Sequence, residues 1–195
     1  MCGRYYVDDE TAREIEKLVR SVDRKLKLEK ARDIHPLDQG MVICQQEGLL
    51  HMEEIKWGFP SPQGKGLLIN ARAESAMEKR TFRDSIQKRR CVIPARGFYE
   101  WNPAKEKYRY ESQKEGRILY MAGCIQDFQG ENRFVILTTN ANDSVIKVHD
   151  RMPLILKEQE VQEWIYDDSR VESFLQMSPP LLQYRTDYNQ ISMFS

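Results

Sequence analysis

The second residue of the chain is a cysteine, followed by Gly3 and Arg4. Once Met1 is removed, as is usual ahead of a small residue, Cys2 carries a free α-amine two carbons from its thiol. With ordinary pKa values of about 8 for the amine and about 8.5 for the thiol, both nucleophiles are partly available near neutral pH. An aldehyde meeting this 1,2-aminothiol forms an imine with loss of water, and the sulfur then closes on the imine carbon to give a five-membered thiazolidine. The second attack is intramolecular, and effective molarities of about 10⁵ M or more favour the ring over the open imine. Two other readings stay open on the residues alone: a nucleophile for amide bonds whose own amine is the base, and an inert residue that follows Met1 by chance.

Charge gives a second lead. Thirty Lys and Arg balance thirty Asp and Glu, which excludes a broadly polybasic protein. The balance is uneven, however. Between residues 70 and 97, Arg72, Lys79, Arg80, Arg83, Lys88, Arg89, Arg90 and Arg96 face only Glu74, Glu78 and Asp84, whereas the stretch from Glu158 to Glu172 is acidic. Such a strip suits backbone phosphates, and it equally suits a solvated helix face. Trp57 is the nearest aromatic for stacking on a base, with a buried core tryptophan as the other reading. The cysteines at 2, 44, 91 and 124 include no C-x-x-C pair, so neither a zinc ribbon nor a disulfide framework is indicated. Free thiols in a reducing, cytoplasmic setting are expected, with no metal and no cofactor. No apolar run approaches the roughly 20 residues of a membrane span.

These groups need a scaffold, and the chain of 195 residues is the size of one domain, residues 1–195. Ile15, Leu18, Val19 and Val22 recur at helical spacing and predict an amphipathic helix over 8–22, followed by a charged stretch and a loop at IHPLDQG. MVIC (41–44), LLHMEEIKW (49–57), GLLIN (66–70), CVIPA, GFYEW, YRYE (108–111), RILYMAG (117–123), FVILTT (134–139) and PLIL (153–156) read as strands. Ser75 and Glu78 suggest a capping box that opens a helix running through Gln87. Two short helices, around Val161–Ile165 and Val171–Leu175, precede the run LLQY. The expected fold class is α+β, mainly β: antiparallel strands in a barrel-like sheet with peripheral helices.

Five segments in order, MCGRY, WGF, INARAES, RRCVIPARGFYEW and VHDRMP, make the chain resemble the SRAP family, the SOS-response-associated peptidases. The resemblance implies a single SRAP domain, monomeric, that binds abasic sites in single-stranded DNA and captures the ring-opened aldehyde as a thiazolidine crosslink. It implies an activity on DNA damage of lyase-like type in the cytoplasm, on nucleoid-associated DNA. Self-removal of Met1 is a narrower hydrolase activity that the family name suggests. Carried over to this chain, Cys2 is the crosslinking nucleophile, Asn70 the pocket asparagine, Glu100 the acid that moves protons around the Cys2 amine, and His149 the group for sugar opening and crosslink reversal. Arg4, Arg72, Arg80 and Arg151 match phosphate-contacting arginines, and Thr138 a polar neighbour of the pocket. Read without the family, Glu100 is a solvent-facing strand residue, His149 a loop histidine beside Asp150, and Asn70 a helix cap. An N-terminal-cysteine amidohydrolase and a non-covalent single-strand binder are the competing functions. The family's Pro-x-Trp segment is replaced by PSPQGKGLL, without a second Trp, and its Asn-x-Ala-Pro by DIHP, which places Asp33 and His35 at that loop.

Overall fold

The computed structural model describes residues 2–19, 21–22 and 31–186. Strand β1 (Tyr5–Val7) leads into helix α1 (Asp9–Leu18), and strands β2 (Ser21–Val22), β3 (Arg32–Ile34), β4 (Gln39–Gln46), β5 (Leu49–Trp57), β6 (Phe59–Pro60), β7 (Leu67–Leu68) and β8 (Asn70–Arg72) follow. Helices α2 (Ala73–Ala76) and α3 (Arg80–Lys88) precede β9 (Arg90–Ala95), β10 (Gly97–Trp101), β11 (Lys107–Ser112), β12 (Leu119–Phe128) and β13 (Glu131–Asn140). The described chain closes with β14 (Arg151–Pro153), β15 (Ile155–Leu156), α4 (Glu160–Tyr166), α5 (Val171–Leu175) and β16 (Leu182–Thr186).

Two hairpins build most of the larger sheet. β4 turns into β5 through Glu47 and Gly48, at φ 52° and 79°, and β12 turns into β13 through Gln129 and Gly130, at φ 58° and 88°. Positive φ at both turn residues is the two-residue geometry whose twist matches that of paired strands. The ring β13–β12–β9–β4–β5 then closes on itself, because β13 and β5 pair in parallel at Arg133↔Lys56 and Phe134↔Trp57. Closure leaves these five strands without an unpaired edge along the seam. A second sheet, in the order β16–β11–β10–β1–β3, packs beside it.

Alternation along the strands separates two cores. Val42, Trp57, Ile93, Met121 and Phe134 share one cluster with Tyr5, Phe98 and Tyr110 of the second sheet, whereas Ile43, Val92 and Ala122 pack with Ile15, Phe82, Ile86 and Trp164 of the helices.

Three local expectations are corrected. The first helix ends at Leu18, since Ser21–Val22 leave it to pair in parallel with His51 and Met52 of β5. Its start is a capping box, in which the Asp8 carboxylate accepts from the Thr11 N–H at 2.9 Å and the Thr11 hydroxyl accepts from the Asp8 N–H at 3.2 Å. The helix expected from Ser75 is two helices, and the longer starts at Arg80 with no side-chain cap. Besides the antiparallel pairs, β13 runs parallel to both β5 and β8. The charged stretch 23–30 lies outside the described residues. Among the described residues no helix is long and apolar enough to cross a membrane, and no group of three or more His, Cys, Asp or Glu could hold a metal ion.

Candidate active site and nucleic-acid face

The residues ahead of β1 lie against the end of β10. Their pairing extends past Tyr5↔Phe98 through the Tyr99 N–H, which donates to the Arg4 carbonyl at 3.0 Å. This carries Cys2 into the core beside Glu100; Cys2 is fully buried and Glu100 is 3% exposed. From the other side β8 runs along β13, with Asn70 opposite Ile136, and the Asn70 Nδ2 donates to the Cys2 carbonyl at 2.9 Å. Asn70 is therefore a strand residue that clamps the start of the chain, and the N-cap position of α2 falls at Arg72, which makes no side-chain cap. The Asn70 Oδ1 is buried without a hydrogen-bond partner, an arrangement that a native interior reserves for a water or a ligand.

Burial sets the protonation of this cluster. It raises the Cys2 thiol far above the ordinary range, with the Glu100 carboxylate adding to the effect and a hydrogen bond from the Arg4 backbone opposing it. Burial also raises the Glu100 carboxyl, while the charge of His149 draws it back down. The two buried acids disfavour each other's ionised forms, so a proton stays in the pocket. Glu100 is an inward-facing residue, which removes its reading as a solvent-facing one.

His149 enters from the loop after β13. There the Asn142 side chain accepts from the Ser144 N–H at 3.1 Å and donates to the carbonyls of Pro179 and Pro180, pinning the turn that leads to Val145–His149. The His149 Nδ1 accepts the Arg151 N–H at 2.9 Å and lies 3.0 Å from an Asp150 carboxylate oxygen. A single nitrogen cannot accept from the amide and donate to Asp150 together. With Nδ1 as the acceptor of the amide, the neutral ring carries its proton on Nε2.

The arginines divide by burial. Arg72 and Arg80 are exposed, on β8 and at the start of α3. Arg4 lies over the Tyr99 ring, 5.1 Å from its centroid, and its Nε and Nη2 both donate to one Asp33 oxygen, the former at 2.8 Å. Tyr99 donates to the other Asp33 oxygen at 3.1 Å. Arg151 is 6% exposed: its guanidinium grips both Glu74 oxygens at 2.7 and 2.8 Å, the Asn140 Oδ1 at 2.6 Å and the Thr138 carbonyl at 2.6 Å. Only its Nε–H, buried and unpartnered, is left for a ligand. Thr138 is fully buried opposite Arg72, its hydroxyl 3.5 Å from the Ala71 carbonyl.

Two parts of the expected DNA face are corrected. Trp57 has no face open to a base: it is fully buried at the barrel seam, parallel to Phe134 at 6.1 Å, 5.3 Å from Tyr5, and donates its indole N–H to the Ile69 carbonyl at 2.9 Å. The basic strip is thinner than its composition, because Arg90 is buried against the Trp164 and Ile86 carbonyls and Asp168, and Arg96 pairs with Asp8 and Glu10.

Asp33 and Glu74 were absent from the expected site. Asp33 had a signal in the altered loop DIHP; Glu74 had none beyond its place in INARAES, since its partner Arg151 is 77 residues away.

A family model described as SOS response associated peptidase (SRAP) matches residues 1–193. The abasic site processing protein YoqW of Bacillus subtilis is 28% identical over 192 residues, covering 90% of this chain and 85% of YoqW. The abasic site processing protein YedK of Escherichia coli is 26% identical over 176 residues, covering 85% of this chain and 79% of YedK. Among solved structures, a phage-related protein of Bordetella bronchiseptica superposes with a TM-score of 0.75 at 23% identity, over 95% of this chain and 93% of that one. A protein from Bacteroides thetaiotaomicron gives 0.76 at 22% identity, over 100% and 95%.

Proposed function

Since the chain belongs to the SOS response associated peptidase (SRAP) family, we propose that it captures abasic sites in single-stranded DNA through Cys2 after loss of Met1. The sugar opens to its aldehyde, the Cys2 amine adds to the carbonyl carbon, and water leaves to give the imine. The Cys2 sulfur then bonds to that carbon, and its proton passes to the nitrogen as the thiazolidine closes. The observation that carries this reading is a buried carboxyl beside a buried thiol, with Asn70 fixing the Cys2 carbonyl at 2.9 Å. A carboxyl raised by burial keeps its proton to higher pH than a free one, which suits it to give a proton to the departing water and to take one back as the thiol adds. His149, 26% exposed at the rim, is the second proton carrier, placed to open the sugar and to return a proton when the crosslink reverses. Arg72 and Arg80 hold phosphates from the surface, Arg4 after release from Asp33, and Arg151 through its Nε–H, with Thr138 closing the wall behind Arg72.

The names of the relatives, abasic site processing proteins, support the substrate class. The test incubates the purified chain with single-stranded DNA carrying one abasic site and resolves adducts on a denaturing gel, with the N-terminal mass measured in parallel. A stable adduct in wild type and none in Cys2→Ala is expected, together with loss of one methionine from the mass. An equal adduct in Cys2→Ala, or capture by a chain that retains Met1, overturns the reading. Peptide hydrolysis without any adduct would favour the amidohydrolase instead.

A further inference from the structure

The pocket has a wall of phenol rings that the proposed chemistry does not use. On β11, Tyr108 is the Cα partner of Glu100 and Tyr110 that of Phe98; on β16, Tyr184 is the partner of Tyr110. Directly opposed residues share a sheet face, so all three tyrosines stand on the face that carries Glu100. Their rings form a row: Tyr108 and Tyr110 are stacked with centroids 6.5 Å apart, and Tyr184 lies 5.5 Å from the first and 5.9 Å from the second.

The row runs from interior to solvent. Tyr110 is fully buried, its hydroxyl has no hydrogen-bond partner, and the charge of Glu100 acts on it. Tyr184 is 52% exposed, one of few large apolar rings of the described residues that are open to water. Trp57 is enclosed, so stacking on DNA has to come from another ring. Strands lie about 4.8 Å apart and residues about 3.4 Å apart along them, so Tyr184, two strands from Glu100 and two residues along from Thr186, which is in line with it, is roughly 12 Å away, the span of about three nucleotides at a rise of about 3.4 Å.

We propose that Tyr108 and Tyr184 form a stacking subsite for a nucleobase on the same strand as the captured abasic sugar, backed by Tyr110. The inference rests on the reading of the Cys2–Glu100 pocket as the abasic-site pocket, and it adds a positioning role for residues outside the chemistry. Every base offers a ring face, so the subsite fixes the strand without choosing a sequence.

The test measures equilibrium binding of the full chain to a labelled single strand with a central tetrahydrofuran site, which lacks the reactive aldehyde. Tyr184→Ala is expected to weaken binding roughly five- to hundredfold, the usual effect of removing one base–aromatic stack, and Tyr184→Phe to retain it. A second strand has further tetrahydrofuran sites in place of the three bases on each side. Wild type should bind this strand more weakly by a similar factor, while Tyr184→Ala should lose nothing further. Equal binding by wild type and Tyr184→Ala, or wild type indifferent to base removal, overturns the proposal; the latter arm needs no variant to fold. Adduct yield at saturating natural abasic strand is read separately: its absence in wild type strikes the capture reading, while the binding comparison still decides the subsite.

Discussion

Replacing Asp33 by Asn should tighten binding to single-stranded DNA. Arg4 spends two guanidinium donors on one Asp33 oxygen, and the side chains are only 29% and 27% exposed. A phosphate approaching Arg4 therefore meets a neutralised pair. Taking the phosphate about 6 Å from the Asp33 charge, the repulsion is about 0.7 kcal/mol in a water-like dielectric and about 2.8 kcal/mol at an effective dielectric of about 20. Removing it corresponds to an affinity gain of roughly 3- to 100-fold at low salt. The amide of Asp33→Asn keeps an oxygen for the Tyr99 hydroxyl, so the loop retains that anchor. Losing a part-exposed ion pair costs about 1 kcal/mol of fold stability at most. The assay is fluorescence anisotropy on a labelled single strand, in a Cys2→Ser background so that only non-covalent binding is read. Freeing one cation for phosphate should steepen the plot of log K against log salt by about 0.7. Adding Arg4→Ala should erase both changes. An unchanged slope with unchanged affinity would refute the idea that Asp33 holds Arg4 away from DNA.

Three further outcomes are expected. Arg151→Ala leaves the buried Thr138 carbonyl without its donor and the part-exposed Glu74 carboxylate without its partner, so it should cost about 1–3 kcal/mol and lower the melting temperature by roughly 2–12 °C, with little rescue by Lys, which lacks the planar fork. The Arg151 hydrogen bonds hold the Glu74 carboxyl below its usual range, so this contribution is present above the unfolded carboxyl pKa and fades as the pH falls through the folded one; wild type and Arg151→Ala should converge in acid. Burial raises the Glu100 carboxyl, so the folded state holds its proton longer than the unfolded chain and wild type loses stability as the pH climbs from the unfolded carboxyl pKa to the folded value; Glu100→Gln, which does not titrate, should gain stability relative to wild type across that window in parallel thermal melts. Gly97→Ala would drive its Cβ into the Tyr110 carbonyl oxygen, a backbone atom that cannot swing aside, so a loss of about 2 kcal/mol or more and a separated β10–β11 pair are expected by denaturant melts and amide exchange.

Pattern and chemistry are legible from the residues to different depths. The strand LLHMEEIKW has the bounds read from its sequence, since alternation and the Glu47–Gly48 turn both mark it. The spacing of Leu18, Val19 and Val22 is helical and overextends the first helix; only pairing with β5, remote in sequence, turns Ser21 and Val22 into a strand. The parallel seam at Trp57 and Phe134 leaves no local trace either, and so the residues alone leave the tryptophan open between stacking and core. At the site, the aminothiol is readable from position alone, whereas Asn70, Glu100 and His149 come from the resemblance. Their geometry adds what types and order do not carry: which groups are buried, and that Arg4 and Arg151 each meet a carboxylate contributed by a distant segment.

Strand β13 touches β12, β5, β8 and β14, so the clamp on Cys2, the Arg151 grip and the barrel seam all hang from one ten-residue strand. Contacts spanning so much chain are slow to form and are lost together. A nascent or partly unfolded polypeptide thus has its cysteine without the asparagine, the carboxyl or the histidine around it. On the capture reading proposed above, the assisted proton transfers around Cys2, as distinct from the aminothiol's own reactivity, belong to the finished fold.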